Sequence, residues 1–152
     1  MGRVKSLLKM MMLGILVVGC NSTTETKNKF EKEVKKETDA VKLVREVRRG
    51  GYDVVTTEEL KKWIDSGKEI RLVDTMPYGA SYKKQHIPGA VQFLFPIPEM
   101  EEWDTTETDG KSREDYVKLL GDDKNKLVII YCGFVKCTRS HNGAAWAVKL
   151  GY

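Results

Sequence analysis

Apolar and polar positions follow several different rhythms along the chain. Residues 10–18 are an unbroken apolar stretch. Residues 21–29 have no apolar period and read as a flexible polar tether. Through the highly charged residues 30–49, Val34, Val41, Val44 and Val47 recur at near-helical spacing. That pattern predicts a mostly solvated helix, stopped by Gly50-Gly51, with a partner-binding helix as the alternative. Thr56 with Glu59 forms a capping box for a short helix whose apolar stripe is Leu60, Trp63 and Ile64 and whose stop is Gly67. Residues 70–73 read as a strand with Asp74 at its C-terminal end, 80–85 as a short helix, and 91–94 as a second strand. Pro96 and Pro98 then break the chain into a loop. Ser112 with Asp115 opens a helix carrying Tyr116, Leu119 and Leu120, closed by Gly121. Residues 127–131 are a continuous apolar run, which suits a central parallel strand covered on both faces. A last helix is expected over 140–150, with Ala144, Ala147 and Val148 facing inward. Strands alternating with helices predict the α/β class: a parallel sheet with flanking helices.

The beginning of the chain carries a different signal. Arg3, Lys5 and Lys9 are the only charges among residues 1–19. A basic start, an apolar run and a small residue before Cys20 are the layout of a secretory signal. The run is about half the ~20 residues that span a bilayer, so a permanent span is the weaker reading. Val17-Val18-Gly19-Cys20 resembles the bacterial lipoprotein cleavage box, with a plain signal peptide as the alternative. The resemblance implies a leader over 1–19 and a lipid on Cys20, which becomes the new N-terminus. It places the protein at the cell envelope, anchored to a membrane on the periplasmic or extracellular face. Acyl chains hold a protein to a membrane by ~0.8 kcal/mol per buried CH₂. The expected organisation is a leader (1–19), then anchor, tether and charged helix (20–51), then one folded domain (52–152).

Charge narrows the partners. The 26 Lys and Arg face 22 Asp and Glu, and the leader takes three of the basic residues with it, leaving 23. A near-neutral mature chain gives no electrostatic case for nucleic acid. Of the cysteines, Cys20, Cys132 and Cys137, lipidation removes the first and leaves two in one loop.

Candidate chemistry concentrates in that loop. Cys132 follows the apolar strand, residues 133–138 form a short loop, and Arg139 opens a helix. In open α/β sheets ligands sit outside the C-terminal ends of the strands, which is where Cys132 falls. The helix N-terminus offers unpaired N–H groups, and Lys136 and Arg139 add positive charge. Such surroundings favour a thiolate nucleophile and suit an anion such as a thiosulfonate or a phosphate.

Two motifs then resemble the rhodanese family. His86-Ile87-Pro88-Gly89-Ala90 matches its signature, at the expected distance after the Asp-ended strand Leu72-Val73-Asp74. The second is the apolar strand, Cys132, a short loop, Arg139-Ser140 and an Ala-rich helix ending Leu150-Gly151-Tyr152. The resemblance covers roughly residues 53–152. It implies a sulfurtransferase in which Cys132 accepts sulfur as a persulfide and passes it to a thiol or other acceptor. The backbone of Gly133, Phe134, Val135, Lys136, Cys137 and Thr138 would cradle the sulfur, and Arg139 would orient the donor anion. The loop is longer than is typical of the family, which implies a wider cradle, and Cys137 inside it is a departure. The family normally continues past Leu-Gly-Tyr with one more strand and a helix. The resemblance therefore implies a domain lacking its last strand and helix, with an unpaired edge beside 127–131.

Plainer readings stand beside these. Cys132 as a buried structural thiol is one. Cys137 reads as a resolving thiol, a disulfide partner of Cys132 or a passive residue. His86 is expected to bond locally in a turn, His141 to be exposed in the first helical turn, and Asp74 to pin a loop. Cys132, Cys137 and His141 fit no common zinc spacing, and no metal or cofactor is expected. Two function classes remain: sulfur transfer at Cys132, or a non-catalytic module binding a protein partner or small sulfur species at the envelope. The partners implied are a small sulfur-containing anion or persulfide donor and the membrane.

Overall fold

The computed structural model describes residues 22–135 and 137–152, with side chains from residue 28 onward. The leader, Cys20 and Lys136 lie outside the described residues. The chain divides into two compact units, residues 1–36 and 37–152. Helix α1 runs Ser22–Gly50, so residues 22–29 are helical where the sequence predicts a tether. No proline or glycine interrupts residues 21–49, and the mixed Glu and Lys tolerate a helix. No described helix is long and apolar enough to cross a membrane.

The second unit is built from α2 (Thr57–Asp65), β1 (Ile70–Asp74), a π-helical turn (Tyr78–Tyr82), β2 (Val91–Gln92), α3 (Arg113–Leu120), β3 (Leu127–Tyr131) and α4 (Thr138–Lys149). Both expected capping boxes are present, Thr56 with Glu59 and Ser112 with Asp115. In each, the side-chain oxygen of the cap accepts a backbone N–H from the third helical residue, and that residue's carboxylate accepts the N–H of the cap. The 80–85 helix is replaced by the π-helical turn, which starts at Tyr78, directly after Pro77.

The sheet is parallel, in the order β2-β1-β3. Alternation along the strands splits the core in two. Val73, Val128 and Ile130 face an aromatic cluster of Phe93, Phe95, Tyr116 and Trp146, with Trp103 packed against it. Leu72, Ile129 and Tyr131 face Leu60, Ala90 and Ile87. A strand covered on both faces must be apolar at every position, which accounts for the run in β3. That run does not make β3 central: β1 holds the middle, and β3 pairs on one side only, all five of its residues half-buried.

Helix α4 lies close against the first of these cores because of Gly143. A Cβ there would stand 3.0 Å from Ile130 Cγ2 and 3.2 Å from both Phe95 Cε2 and Thr75 Cγ2. Asn142, 1% exposed, ties α4 to the proline loop. Its Oδ1 accepts the Met100 N–H at 2.9 Å, and its Nδ2 donates to the carbonyls of Pro96 at 2.9 Å and Pro98 at 2.8 Å. Trp146 Nε1 donates to the Met100 carbonyl at 2.9 Å.

Candidate active site

The C-terminal ends of β1 and β3 are tied together where Cys132 leaves the sheet. The Tyr131 carbonyl accepts both the Thr75 N–H at 3.0 Å and the Thr75 hydroxyl at 2.8 Å. Asp74 turns back on its own chain, its Oδ1 accepting the Met76 N–H at 2.8 Å. That is the loop-pinning role expected of it. Gly133 stands next to the Met76 side chain. The strand end that presents Cys132 is therefore fixed by two bonds from the neighbouring strand's extension.

Cys132 is half-buried and a free thiol. Its Sγ donates to the Phe134 carbonyl at 3.2 Å and lies 3.7 Å from the Cys137 carbonyl. The Ser140 hydroxyl is 3.4 Å away and itself donates to the Cys137 carbonyl at 3.1 Å. Ser140 is thus a neighbour of the sulfur that the sequence reading quoted only as part of a motif. The signal available was a hydroxyl in the first turn of the helix that follows the cysteine loop.

The expected cradle of N–H groups is only partly assembled. The Cys137 N–H is spent on the Phe134 carbonyl at 3.1 Å, and the described polar partners of Cys132 Sγ are carbonyls and a hydroxyl. Phe134 and Val135 are exposed, at 64% and 79%. Gly133 is exposed too, and Thr138 is half-buried at the start of α4. Arg139, in the first turn, sends Nη1 to the Phe95 carbonyl. That bond locks α4 to the loop after β2 and takes one of the five guanidinium donors away from any anion.

Cys137 is buried, 8% exposed, at the cap position of α4. Burial pushes its thiol up to about 11, and the neighbouring Cys132 thiol acts in the same direction. The adjacent backbone of Arg139 acts the other way, although no N–H caps the Cys137 sulfur.

The two histidines divide. His86 bonds locally as expected, its Nδ1 2.9 Å from the Tyr82 carbonyl, and its ring stacks on Tyr82. His141 is not exposed: it is 5% accessible, with Nδ1 2.8 Å from the Tyr52 hydroxyl and Nε2 3.5 Å from Glu99 Oε1. Burial, the largest cause, raises the Tyr52 phenol to about 12, so the hydroxyl beside Nδ1 stays protonated. The sequence missed this because Tyr52 and Glu99 are distant along the chain. No group of three or more metal-ligating side chains forms among the described residues.

An open groove of about 970 Å³ runs along β3 and includes Cys132, Ser140, Ile87, Leu60 and Tyr52 in its walls. The half-buried thiol is thus open to a small molecule. A family model described as a rhodanese-like domain matches residues 56–152. No curated protein and no solved structure matches the chain. With the parallel sheet, the cysteine at the end of β3 and a family match over most of the chain, the protein belongs to the rhodanese-like family.

Proposed function

We propose that the protein is an envelope-anchored sulfurtransferase in which Cys132 takes a sulfane sulfur from a small anionic or persulfide donor and hands it to a thiol. The observation that carries this reading is the placement of Cys132. It is a free, half-buried thiol at the C-terminal end of a parallel strand, before the first turn of α4 and open to a groove. In the chemistry proposed, the Cys132 thiolate attacks the outer sulfur of the donor and expels sulfite or a thiol. The half-assembled cradle is then the resting arrangement. Release of the thiol from the Phe134 carbonyl and reorientation of residues 133–138 would turn N–H groups toward the added sulfur. Ser140 Oγ, already 3.4 Å from Sγ, is the nearest side-chain donor to the reacting atom. The anchor is the part of the proposal carried by Cys20 and the leader sequence alone.

The test is intact-protein mass spectrometry after anaerobic exposure to thiosulfate or an organic persulfide. Wild type and Cys137→Ser should gain one sulfur atom, either retained or released again as sulfide, and Cys132→Ser should do neither. Uptake unaffected by Cys132→Ser would remove Cys132 from the chemistry. Binding of sulfur species without transfer would favour the non-catalytic module, which Arg139's engagement with Phe95 also suits.

A further inference from the structure

We infer that Cys137 is a resolving thiol: it attacks Sγ of the Cys132 persulfide, forms the Cys132–Cys137 disulfide and expels the outer sulfur as hydrosulfide. This rests on the proposed sulfur transfer at Cys132 and assigns its product. The chain would then reduce sulfane sulfur to sulfide, where simple transfer would deliver it intact to an acceptor.

Two observations carry it. First, the two cysteines are bracketed by the same groups. Cys132 Sγ and the Cys137 N–H both donate to the Phe134 carbonyl, at 3.2 and 3.1 Å. Ser140 Oγ touches Cys132 Sγ and bonds the Cys137 carbonyl, which is itself 3.7 Å from Sγ. The Cys132 thiol adds to burial in holding the Cys137 thiol above its ordinary range. Second, access differs. Cys132 opens to the groove, whereas Cys137 is 8% exposed, so solvent thiols reach the first far more readily than the second. A thiol beside the nucleophile and screened from solvent has its nearest partner within the chain.

The step balances. Cys137 gives up its thiol proton and bonds to Cys132 Sγ while the Sγ–S bond of the persulfide breaks. The departing sulfur takes that proton and leaves as hydrosulfide. The two cysteine sulfurs are oxidised to a disulfide and the sulfane sulfur is reduced. A thiol of high pKa is, once ionised, the stronger nucleophile, and hydrosulfide leaves more readily than an alkyl thiolate, so attack at Sγ is favoured. An external dithiol then returns the disulfide to two thiols.

The experiment uses the full chain, reduced, freed of reductant and kept anaerobic, with thiosulfate or an organic persulfide as donor and no added thiol. Released sulfide is measured together with intact mass after acid quench. Wild type should release one hydrosulfide per chain and become two hydrogens lighter, with a peptide map linking Cys132 to Cys137. Cys137→Ser and Cys137→Ala should stay one sulfur heavier and release sulfide only when a thiol is added. Wild type that stays one sulfur heavier without sulfide release overturns the inference and leaves sulfur transfer standing, as does extra sulfur lodged on Cys137. No added sulfur and no sulfide in wild type or either variant overturns both. The wild-type mass and map decide the matter even where a variant at this buried position folds poorly.

Discussion

Asn142→Ala tests whether the proline loop is held to α4 by polar contacts or by the aromatic core alone. Asn142 is 1% exposed and makes three bonds, to the Met100 N–H and to the carbonyls of Pro96 and Pro98. Truncation leaves the Met100 N–H without a partner at a residue only 7% exposed. An orphaned buried donor costs about 1–3 kcal/mol. The Pro96 carbonyl, also buried, loses a bond with a net contribution of about 0.5–1.5 kcal/mol. The Pro98 carbonyl belongs to an exposed residue and can turn to water, so it adds little. Alanine is the better helix former by up to about 0.7 kcal/mol, which offsets part of the loss. The expected net is about 2–3 kcal/mol, a large share of the ~5–15 kcal/mol that holds a domain of this size. Urea unfolding followed by tryptophan fluorescence measures it directly. Trp146 donates to the carbonyl of the same Met100, so the probe sits at the perturbed contact. The midpoint should fall with an unchanged slope. A loss below about 0.5 kcal/mol at the same slope would show that the three bonds merely replace bonds to water and that the aromatic rings alone seat the loop.

Other outcomes follow from single contacts. Thr56→Ala removes the cap of α2 and should cost about 1 kcal/mol in the same unfolding assay, with Thr56→Ser close to wild type. Arg139→Lys cannot reproduce a planar guanidinium reaching Phe95, and should lower the melting temperature even without a sulfur donor. Burial raises the Cys137 thiol to about 11. Its alkylation should therefore quicken about tenfold per pH unit above neutrality, with no plateau before about pH 10, while an early plateau would deny that burial controls it. A folded pKa above the ordinary thiol value stabilises the fold below that value, and this contribution is lost as pH rises toward 11. Cys20→Ala should shift the protein out of the membrane fraction or leave the leader attached, and unchanged processing and fractionation would end the lipoprotein proposal.

Local features were the most legible in the sequence. Both capping boxes formed as read, because each is complete within four residues. The strand before Cys132 and the helix after it were visible for the same reason. The apolar run by itself did not place β3 in the sheet, since a run covered on both faces looks the same whether or not a second neighbour pairs with it. His141 was misread because its neighbours in sequence are polar, while its burial comes from Tyr52 and Glu99. Asn142 carries no local signal of its role. Its three partners lie more than forty positions away in a loop that propensity alone leaves undefined.

The site itself shows the same division between local and distant causes. Cys132 could be placed at a strand end from sequence alone, because apolar run, cysteine and helix start are contiguous. What the cysteine faces could not, because loop residues 133–138 choose between pointing N–H groups or carbonyls at Sγ by rotating peptide planes, and no side-chain pattern records that choice. In the structure the Phe134 carbonyl faces the thiol. A carbonyl can accept from a thiol but repels a thiolate or a persulfide anion at the same position. Loading sulfur on Cys132 would therefore act against the Phe134 contact and against the turn bond from Cys137 N to the same carbonyl. Both cysteines are tied to that one peptide plane, so a rotation that accommodates the added sulfur also frees the backbone of Cys137. The loop proposed to receive the sulfur and the residue proposed to displace it are thus coupled through a single peptide group.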